Sequence, residues 1–312
     1  MELRVLRYFL TVAREGSITA AANFLHLTQP TLSRQLKDLE EELGIKLFDR
    51  HSHHITLTAD GMRLRKRAEE IIDMLQKTEA EFAVHEERIA GDVHIGGGET
   101  RVMHLLADII RDIRRDYPDI VFHLQSGNSG DITERLDKGL LDFAVLIQPA
   151  DISKYHSVNL PEKDVWGVIM RKDAPLAKKA TITRRDLLDV PVILSSQAIR
   201  RTSVPNRFLD WFGDDFDRLH IAGTFNLVYN ATILAESGIG YVVSLDGLAN
   251  VSAESPLCFR LLEPRLETGL HIAWKKYQVF SPAAGLFLER IMQQFGAAGR
   301  LPATSLDNAS GR

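Results

Sequence analysis

Three short helical patterns near the start of this chain constrain its fold most strongly. Apolar residues recur at helical spacing over residues 3–15 and predict the first helix. Ser17 can cap a second helix, whose Ala20-Ala21-Ala22 run allows another helix to approach closely. Thr28 can cap a third helix, and Gly44 marks its end. Three short helices in tandem are typical of a DNA-binding helix-turn-helix.

The third predicted helix has two different faces. Leucines at positions 32, 36, 39 and 43 form its buried stripe. The other face is polar, and glutamine and arginine can bond adenine or guanine edges, while the remaining polar side chains suit phosphates. The candidate DNA contacts on this helix are Gln29, Pro30, Thr31, Ser33, Arg34 and Lys37.

Two short strand patterns follow, Leu47-Phe48 and Ile55-Thr56-Leu57, and they flank a basic turn over residues 50–54. Such a turn predicts a wing that lies against the DNA backbone or minor groove, with Arg50 and His53 as contacts. The turn holds three histidines, but no carboxylate or cysteine stands at chelating spacing, so we expect no metal.

Composition fits a cytoplasmic DNA-binding protein without proving one. The formal net charge is −4, yet residues 1–67 carry more lysine and arginine than aspartate and glutamate. A single cysteine, Cys258, leaves no intrachain disulfide, which suits a reducing compartment. The N-terminus does not resemble a signal peptide, and no apolar run approaches the roughly 18 residues of a membrane span.

A long helix pattern begins after Thr58 and runs to about Gly91. Its apolar residues alternate by four and three, and this heptad spacing predicts a coiled-coil-like dimer. A helix packed on the core of a monomer is the alternative. The predicted dimer contacts are Leu64, Ala68, Ile71, Leu75 and Phe82.

From Val93 onward, short β-rich runs alternate with helical patterns, which predicts an α/β domain. The pattern forms two series, and a strand at Leu270–Trp274 and a helix at Pro282–Phe295 return the chain to the first series. We therefore expect a winged helix-turn-helix over 1–60, a linker helix over 61–91, lobe 1 over 92–161 and 266–296, lobe 2 over 162–265, and a flexible tail over 297–312.

Open α/β sheets bind ligands beyond the carboxyl ends of their strands. The candidate effector-binding residues follow predicted strand ends: Thr100, Ser126, Asn128, Gln148, Ser195, Ser196, Arg201, Thr202 and Asn226. Arg201 and its neighbour Arg200 either pair an anionic metabolite or form a solvated surface pair. The run of glycines over 96–98 has neither the Walker nor the GxGxxG spacing, so we expect no nucleotide cofactor.

Several segments resemble the LysR-type transcriptional regulators. The matching segments are Ser17-Ile18-Thr19-Ala20-Ala21-Ala22, Thr28-Gln29-Pro30-Thr31-Leu32-Ser33-Arg34-Gln35-Leu36, Leu39-Glu40, Leu43-Gly44-Ile45-Lys46-Leu47-Phe48-Asp49-Arg50 and Leu57-Thr58-Ala59-Asp60-Gly61. The resemblance implies an all-α winged helix-turn-helix followed by a two-lobed, periplasmic-binding-protein-like effector domain. It also implies a homodimer or homotetramer, and an effector cleft flanked by Thr100 and the loop near Thr202. His53 departs from this pattern, because the family commonly carries an arginine there.

These features predict a sequence-specific DNA-binding transcriptional regulator controlled by a small molecule held between two lobes. Effector binding would shift the population of lobe arrangements and alter DNA bending or contact with RNA polymerase. Activation and repression both remain open. A small-solute-binding protein is the alternative, but it would leave the first 90 residues unused. No GxSxG, HExxH or Cys-His arrangement is present, so we do not expect an enzyme.

Overall fold

A computed structural model of the chain describes residues 1–50, 55–82, 89–201 and 204–296. The chain divides into two compact units, Met1–Ala83 and Val84–Arg312. Within the described residues, no helix combines the length and the apolar character needed to cross a membrane.

Unit 1 contains the predicted helix-turn-helix and wing. Its elements are α1 (Leu3–Glu15), α2 (Ile18–Phe24), α3 (Gln29–Leu43), β1 (Phe48–Arg50), β2 (Ile55–Leu57) and α4 (Ala59–Phe82). β1 and β2 pair antiparallel and form a two-stranded sheet.

The ends of these helices follow the expected capping chemistry. The Ser17 side chain accepts a hydrogen bond from the amide of Ala20, and the Thr28 side chain accepts one from the amide of Thr31. Gly44 ends α3 in a left-handed conformation, with a φ of 68° that other residues adopt at a penalty. The predicted start and end of α3 are therefore confirmed.

The core of unit 1 is small and built largely from α1 and α3. Phe9, Leu32 and Leu36 are fully buried, and Leu39 is nearly so. Leu43, the fourth leucine of the predicted stripe, is 36% exposed. The buried stripe of α3 therefore stops one turn before the helix ends.

A buried carboxylate joins α3 to the wing. Glu40 is 3% exposed, and its Oε1 accepts hydrogen bonds from the amides of Leu47 at 2.7 Å and Phe48 at 3.3 Å. Close packing also fixes the start of α4, because a Cβ on Gly61 would lie 2.1 Å from the carbonyl oxygen of Leu47. Both contacts hold the chain segment that leads into β1.

The predicted dimer seam on α4 falls into two parts, one buried and one accessible. Ala68 is fully buried in the core of unit 1, and Leu64 packs against the same core. The prediction of Ala68 as a dimer contact is therefore wrong, because contacts within its own chain already cover it. Ile71 is 38% exposed and Leu75 is partly exposed, so the second part of the seam remains accessible in the single chain.

Unit 2 is an α/β structure with two sheets. In chain order its elements are β3 (Gly91–Gly97), α5 (Met103–Asp116), β4 (Ile120–Ser126), α6 (Ser129–Asp137), β5 (Phe143–Ile147), β6 (Tyr155–Asn159), β7 (Asp164–Arg171), β8 (Thr181–Thr183), β9 (Pro191–Ser195), α7 (Arg207–Phe212), β10 (His220–Phe225), α8 (Val228–Glu236), β11 (Tyr241–Leu245), β12 (Leu257–Glu263), β13 (Glu267–Thr268), β14 (Leu270–Lys275) and α9 (Pro282–Phe295).

The two sheets define two lobes. The first has the order β4-β3-β5-β14-β6, and the second has the order β10-β9-β11-β7-β12-β8 with β13 paired to β7. The chain crosses to the second sheet between β6 and β7 and returns between β13 and β14. β3, β4 and β5 are parallel, as are β9, β10 and β11, so loops from both lobes collect at the carboxyl ends of these strands.

The predicted fold class is confirmed: an N-terminal helix-turn-helix precedes a two-lobed α/β domain. The structure adds β6, β8, β10, β12 and β13, which the sequence patterns did not predict. β6, β8 and β10 lie at sheet edges, where a strand needs no continuous apolar run.

Candidate functional site

The amino-terminal face of α3 presents the predicted polar residues to solvent. Gln29, Pro30, Thr31, Arg34 and Lys37 are exposed, and Ser33 is partly exposed. The Arg34 side chain is 84% exposed and lies 4.0 Å from Asp38, a spacing that constrains the guanidinium little. A helix with one buried face therefore carries an exposed row of mostly polar side chains, in which Lys37 also pairs with Glu41 at 3.2 Å.

The wing is described only in part. Arg50 ends β1 and pairs with Ile55 in the hairpin register. His53 lies outside the described residues, as do its neighbours in the turn. The proposed phosphate contacts of the wing tip therefore stay predictions.

A cavity lies between the two lobes of unit 2, at the strand ends that the sequence predicted. We call it the cleft cavity. Its polar wall consists of Glu99, Gln148, Ser195, Gln197, Asn226 and Ser244, and its apolar wall includes Trp166, Leu245 and Leu248. A few polar groups on an otherwise apolar wall are typical of a small-molecule site.

Three of the predicted effector residues line the cleft cavity: Gln148, Ser195 and Asn226. Gln148 Nε2 lies 2.8 Å from Nε2 of His271. Burial lowers the pKa of His271, so its neutral imidazole can accept a hydrogen bond from the Gln148 amide. This contact fixes the orientation of Gln148 in the wall.

Thr100 and Ser126 line a neighbouring concavity rather than the cleft cavity. The Thr100 hydroxyl is buried and donates a 2.6 Å hydrogen bond to Asp164, the first residue of β7. Burial raises the pKa of the Asp164 carboxyl, and the hydrogen bond from Thr100 opposes that rise. The Thr100 hydroxyl therefore ties the lobes together at the strand crossing, beside a concavity that shares Glu99 and Val228 with the cleft cavity. Its role as an effector contact stays a prediction.

The remaining predicted residues lie away from the cavity wall. Asn128 caps α6 and bonds Asp131 with both ends of its amide. Ser196 is exposed, and Arg201 lies 3.2 Å from Asp217 with both side chains largely in solvent. Arg201 therefore takes the surface-pair alternative in this structure, while Thr202 falls outside the described residues.

The structure places three further polar residues in the wall that sequence reasoning missed: Glu99, Gln197 and Ser244. Glu99 directly follows the glycine run, and Gln197 directly follows Ser195-Ser196, so the rule of strand ends could have included both. Ser244 lies inside β11, and no strand-end signal would have selected it.

Hydrogen bonds cross between the lobes around the cleft cavity. Oε2 of Glu99 accepts a 2.6 Å bond from the amide of Val228, the first residue of α8. Oε1 of Gln197 accepts a 2.9 Å bond from the amide of Ser129. Both partners are helix amino-terminal amides, so each lobe stabilises a helix end of the other.

Two domain families match this chain. Residues 3–62 match the family described as bacterial regulatory helix-turn-helix protein, lysR family. Residues 86–296 match the family described as LysR substrate binding domain.

Within the described residues, no group of three or more histidine, cysteine, aspartate or glutamate residues could hold a metal ion.

Similar proteins of known sequence are transcriptional regulators. The chain is 27% identical over 299 residues to the uncharacterized HTH-type regulator YvbU of Bacillus subtilis, covering 95% of this chain and 100% of that protein. It is 32% identical over 213 residues to the regulator AlsR of the same organism, covering 68% of each chain.

Solved structures show the same architecture. Full-length CbnR in complex with its target DNA superposes with a TM-score of 0.73 at 21% identity, covering 94% of this chain and 99% of that one. HinK, a LysR family regulator from Pseudomonas aeruginosa, gives 0.52 at 26% identity, covering 95% and 98%. The chain belongs to the LysR family: it is a DNA-binding transcriptional regulator with a substrate-binding domain.

Proposed function

We propose that this regulator reads its DNA site with the amino-terminal face of α3. The observation that carries the proposal is the exposed row from Gln29 to Lys37 on a helix whose opposite face is buried. Gln29 and Arg34 would bond base edges in the major groove, and Thr31, Ser33 and Lys37 would bond phosphates. Pro30 would fix the first turn of α3 against the DNA backbone. Arg50 and His53 would contact the DNA backbone from the wing.

The regulator would act as a homodimer or a homotetramer. The part of the α4 seam that stays accessible, at Ile71 and Leu75, supports this, and Leu64 and Phe82 would extend the contact. A dimer presents two copies of α3 to a two-fold DNA site. The proposed division is a DNA-binding domain over 1–60, a linker over 61–91 and an effector domain over 92–296.

The cleft cavity would hold the effector. Glu99 and Gln197 already accept hydrogen bonds across the lobes, so a ligand there would alter how the lobes close. A ligand shifts such an equilibrium only by the difference in its affinity for the two arrangements. The output would be changed DNA bending or altered contact with RNA polymerase, in the cytoplasm and without catalysis.

The experiment compares Arg34→Ala with Arg65→Ala. Arg65 is exposed on α4 and pairs with Glu69, so its loss removes the same charge away from the proposed reading face. An operator is first selected from random duplexes, and affinity is then measured by fluorescence anisotropy on the operator and on a scrambled duplex.

We expect Arg34→Ala to weaken operator binding by about 1–3 kcal/mol and to reduce discrimination against the scrambled duplex. Arg65→Ala should affect both duplexes equally, because a lost distant charge acts without regard to sequence. If Arg34→Ala keeps the wild-type preference between the two duplexes, α3 does not read bases through Arg34.

A further inference from the structure

The cleft cavity has an unusual charge for a site expected to bind a small metabolite. Among the described residues that line it, Glu99 is the one with a formal charge, and lysine, arginine and histidine are absent. Arg201, which the sequence offered as a partner for an anion, pairs with Asp217 instead. An anionic ligand would therefore bring a second negative charge next to Glu99, and the wall has no cation to compensate it.

Glu99 also fills the position where an anion would bind most favourably. The amino-terminal end of α8 has no side-chain cap from its own lobe, and Glu99 Oε2 accepts the Val228 amide there at 2.6 Å. Helix amino-termini attract negative groups through these free amides. A ligand carboxylate or phosphate would have to displace Glu99 or lie beside it.

The unused hydrogen-bonding groups point to a ligand that donates. Glu99 Oε1 has no hydrogen-bond partner within the part of the chain that the structure describes. The Ser244 hydroxyl likewise makes no hydrogen bond to any described residue and lies in the cavity wall. Polar groups in a cavity wall that have no partner in the chain can bond a ligand or water.

We propose that the cleft cavity binds a small organic cation, an ammonium group on an apolar body. The ammonium group donates to Glu99 Oε1, and the apolar body packs against Trp166, Leu245 and Leu248. The Val228 amide offsets part of the Glu99 charge, but the remaining charge still favours a cation over an anion. This inference rests on the proposed role of the cleft cavity as the effector site.

The test uses the full-length protein and two sets of compounds that share a skeleton. The first set is benzylamine, benzyl alcohol and benzoate, and the second is cyclohexylmethylamine, cyclohexylmethanol and cyclohexanecarboxylate. Isothermal titration gives the Kd of each compound for the wild type, Glu99→Gln and Glu236→Gln. Glu236 is exposed at the other end of α8, so its variant removes the same charge from the same helix.

In the wild type we expect the amines to bind at least about tenfold more tightly than the carboxylates. Glu99→Gln should weaken amine binding by about 10- to 100-fold and change the alcohols little, because a charge-assisted hydrogen bond becomes a neutral one. The glutamine oxygen can still accept from the Val228 amide, so the variant should fold. Glu236→Gln should leave all six compounds unchanged.

Carboxylates that bind as tightly as the amines overturn the proposal, as do amines that bind Glu99→Gln and wild type equally. The absence of amine binding in both sets also overturns it. These outcomes leave the effector role of the cleft cavity standing. That role fails separately if a thermal-shift screen of metabolites of every charge class finds no stabilising compound while the same samples still bind the selected operator.

Discussion

The reading face of α3 and the cleft cavity are built in different ways. The six α3 residues proposed to contact DNA lie within nine consecutive positions of one helix, and helical periodicity alone orients them. The cleft cavity draws its wall from loops and strands spread over 151 residues of unit 2, from Gly98 to Leu248. A surface on one element is set by local rules, whereas a cavity between lobes depends on contacts between distant segments.

The first prediction asks whether the α3 surface is really independent of distant contacts. Glu40 lies on the buried side of α3 and is its principal tie to the wing. Glu40→Ala leaves two buried amides, of Leu47 and Phe48, without an acceptor. We expect a loss of about 3 kcal/mol in the free energy of unfolding of unit 1, since each unsatisfied buried group costs about 1–3 kcal/mol.

Far-UV circular dichroism and hydrogen exchange in urea measure this loss. All three tryptophans, Trp166, Trp211 and Trp274, lie in unit 2, so their fluorescence follows unit 2 in the same samples. The control is Glu41→Ala, which removes an exposed carboxylate that pairs with Lys37 and should change stability by less than about 0.5 kcal/mol. Equal effects of the two variants would mean that Glu40 does not anchor the wing.

The second prediction tests the accessible part of the α4 seam, the part that contacts within unit 1 leave open to solvent. Leu75→Asp places a charge in the proposed dimer seam, and burial of an unpaired charge opposes association. We expect the dimer dissociation constant to rise by about 100-fold, which corresponds to about 3 kcal/mol. Sedimentation velocity of the full-length protein measures it. Gln76→Asp is the control, because Gln76 is an exposed neighbour outside the seam. A Leu75→Asp variant that stays dimeric would place the interface elsewhere.

Local chemistry made unit 1 predictable from sequence. Ser17, Thr28 and Gly44 mark helix ends whether or not the rest of the chain is known, and they lie where expected. The same rules misplaced Ala68, because heptad spacing does not reveal whether a stripe packs on its own chain or on a partner. Glu40 shows the same limit: its spacing on α3 gives no sign that its carboxylate binds amides seven and eight residues away.

In unit 2 the sequence predicted which strand ends meet, but not which side chains turn into the cavity. Gln148, Ser195 and Asn226 line it as expected. Thr100 lies in the adjoining concavity, and nothing in the sequence indicated that its hydroxyl bonds Asp164, which lies 64 residues further along the chain. Ser244 escaped notice because it lies within an apolar strand, and only the packing of two lobes makes its hydroxyl part of a wall.

The last prediction concerns the hydrogen bond between Thr100 and Asp164 at the crossing between the lobes. Burial raises the pKa of the Asp164 carboxyl in the folded protein above its ordinary value. The folded state then holds a proton more tightly than the unfolded state, so the stability contributed by Asp164 is full below its unfolded pKa and falls as pH rises through the folded pKa. Asp164→Asn keeps an oxygen that can accept from Thr100 but does not titrate.

We therefore expect Asp164→Asn to gain stability relative to wild type as pH rises from about 4 toward neutrality, with a slope below about 1.4 kcal/mol per pH unit. Urea unfolding followed by tryptophan fluorescence measures it, because the signal comes from unit 2. Asp173→Asn should show the opposite sign and only below about pH 4, since Arg171 lowers the pKa of the exposed Asp173 carboxyl below its ordinary value. A difference between Asp164→Asn and wild type that stays constant with pH would mean that Asp164 is hydrated in solution. Thr100 would then be free to turn toward the cleft.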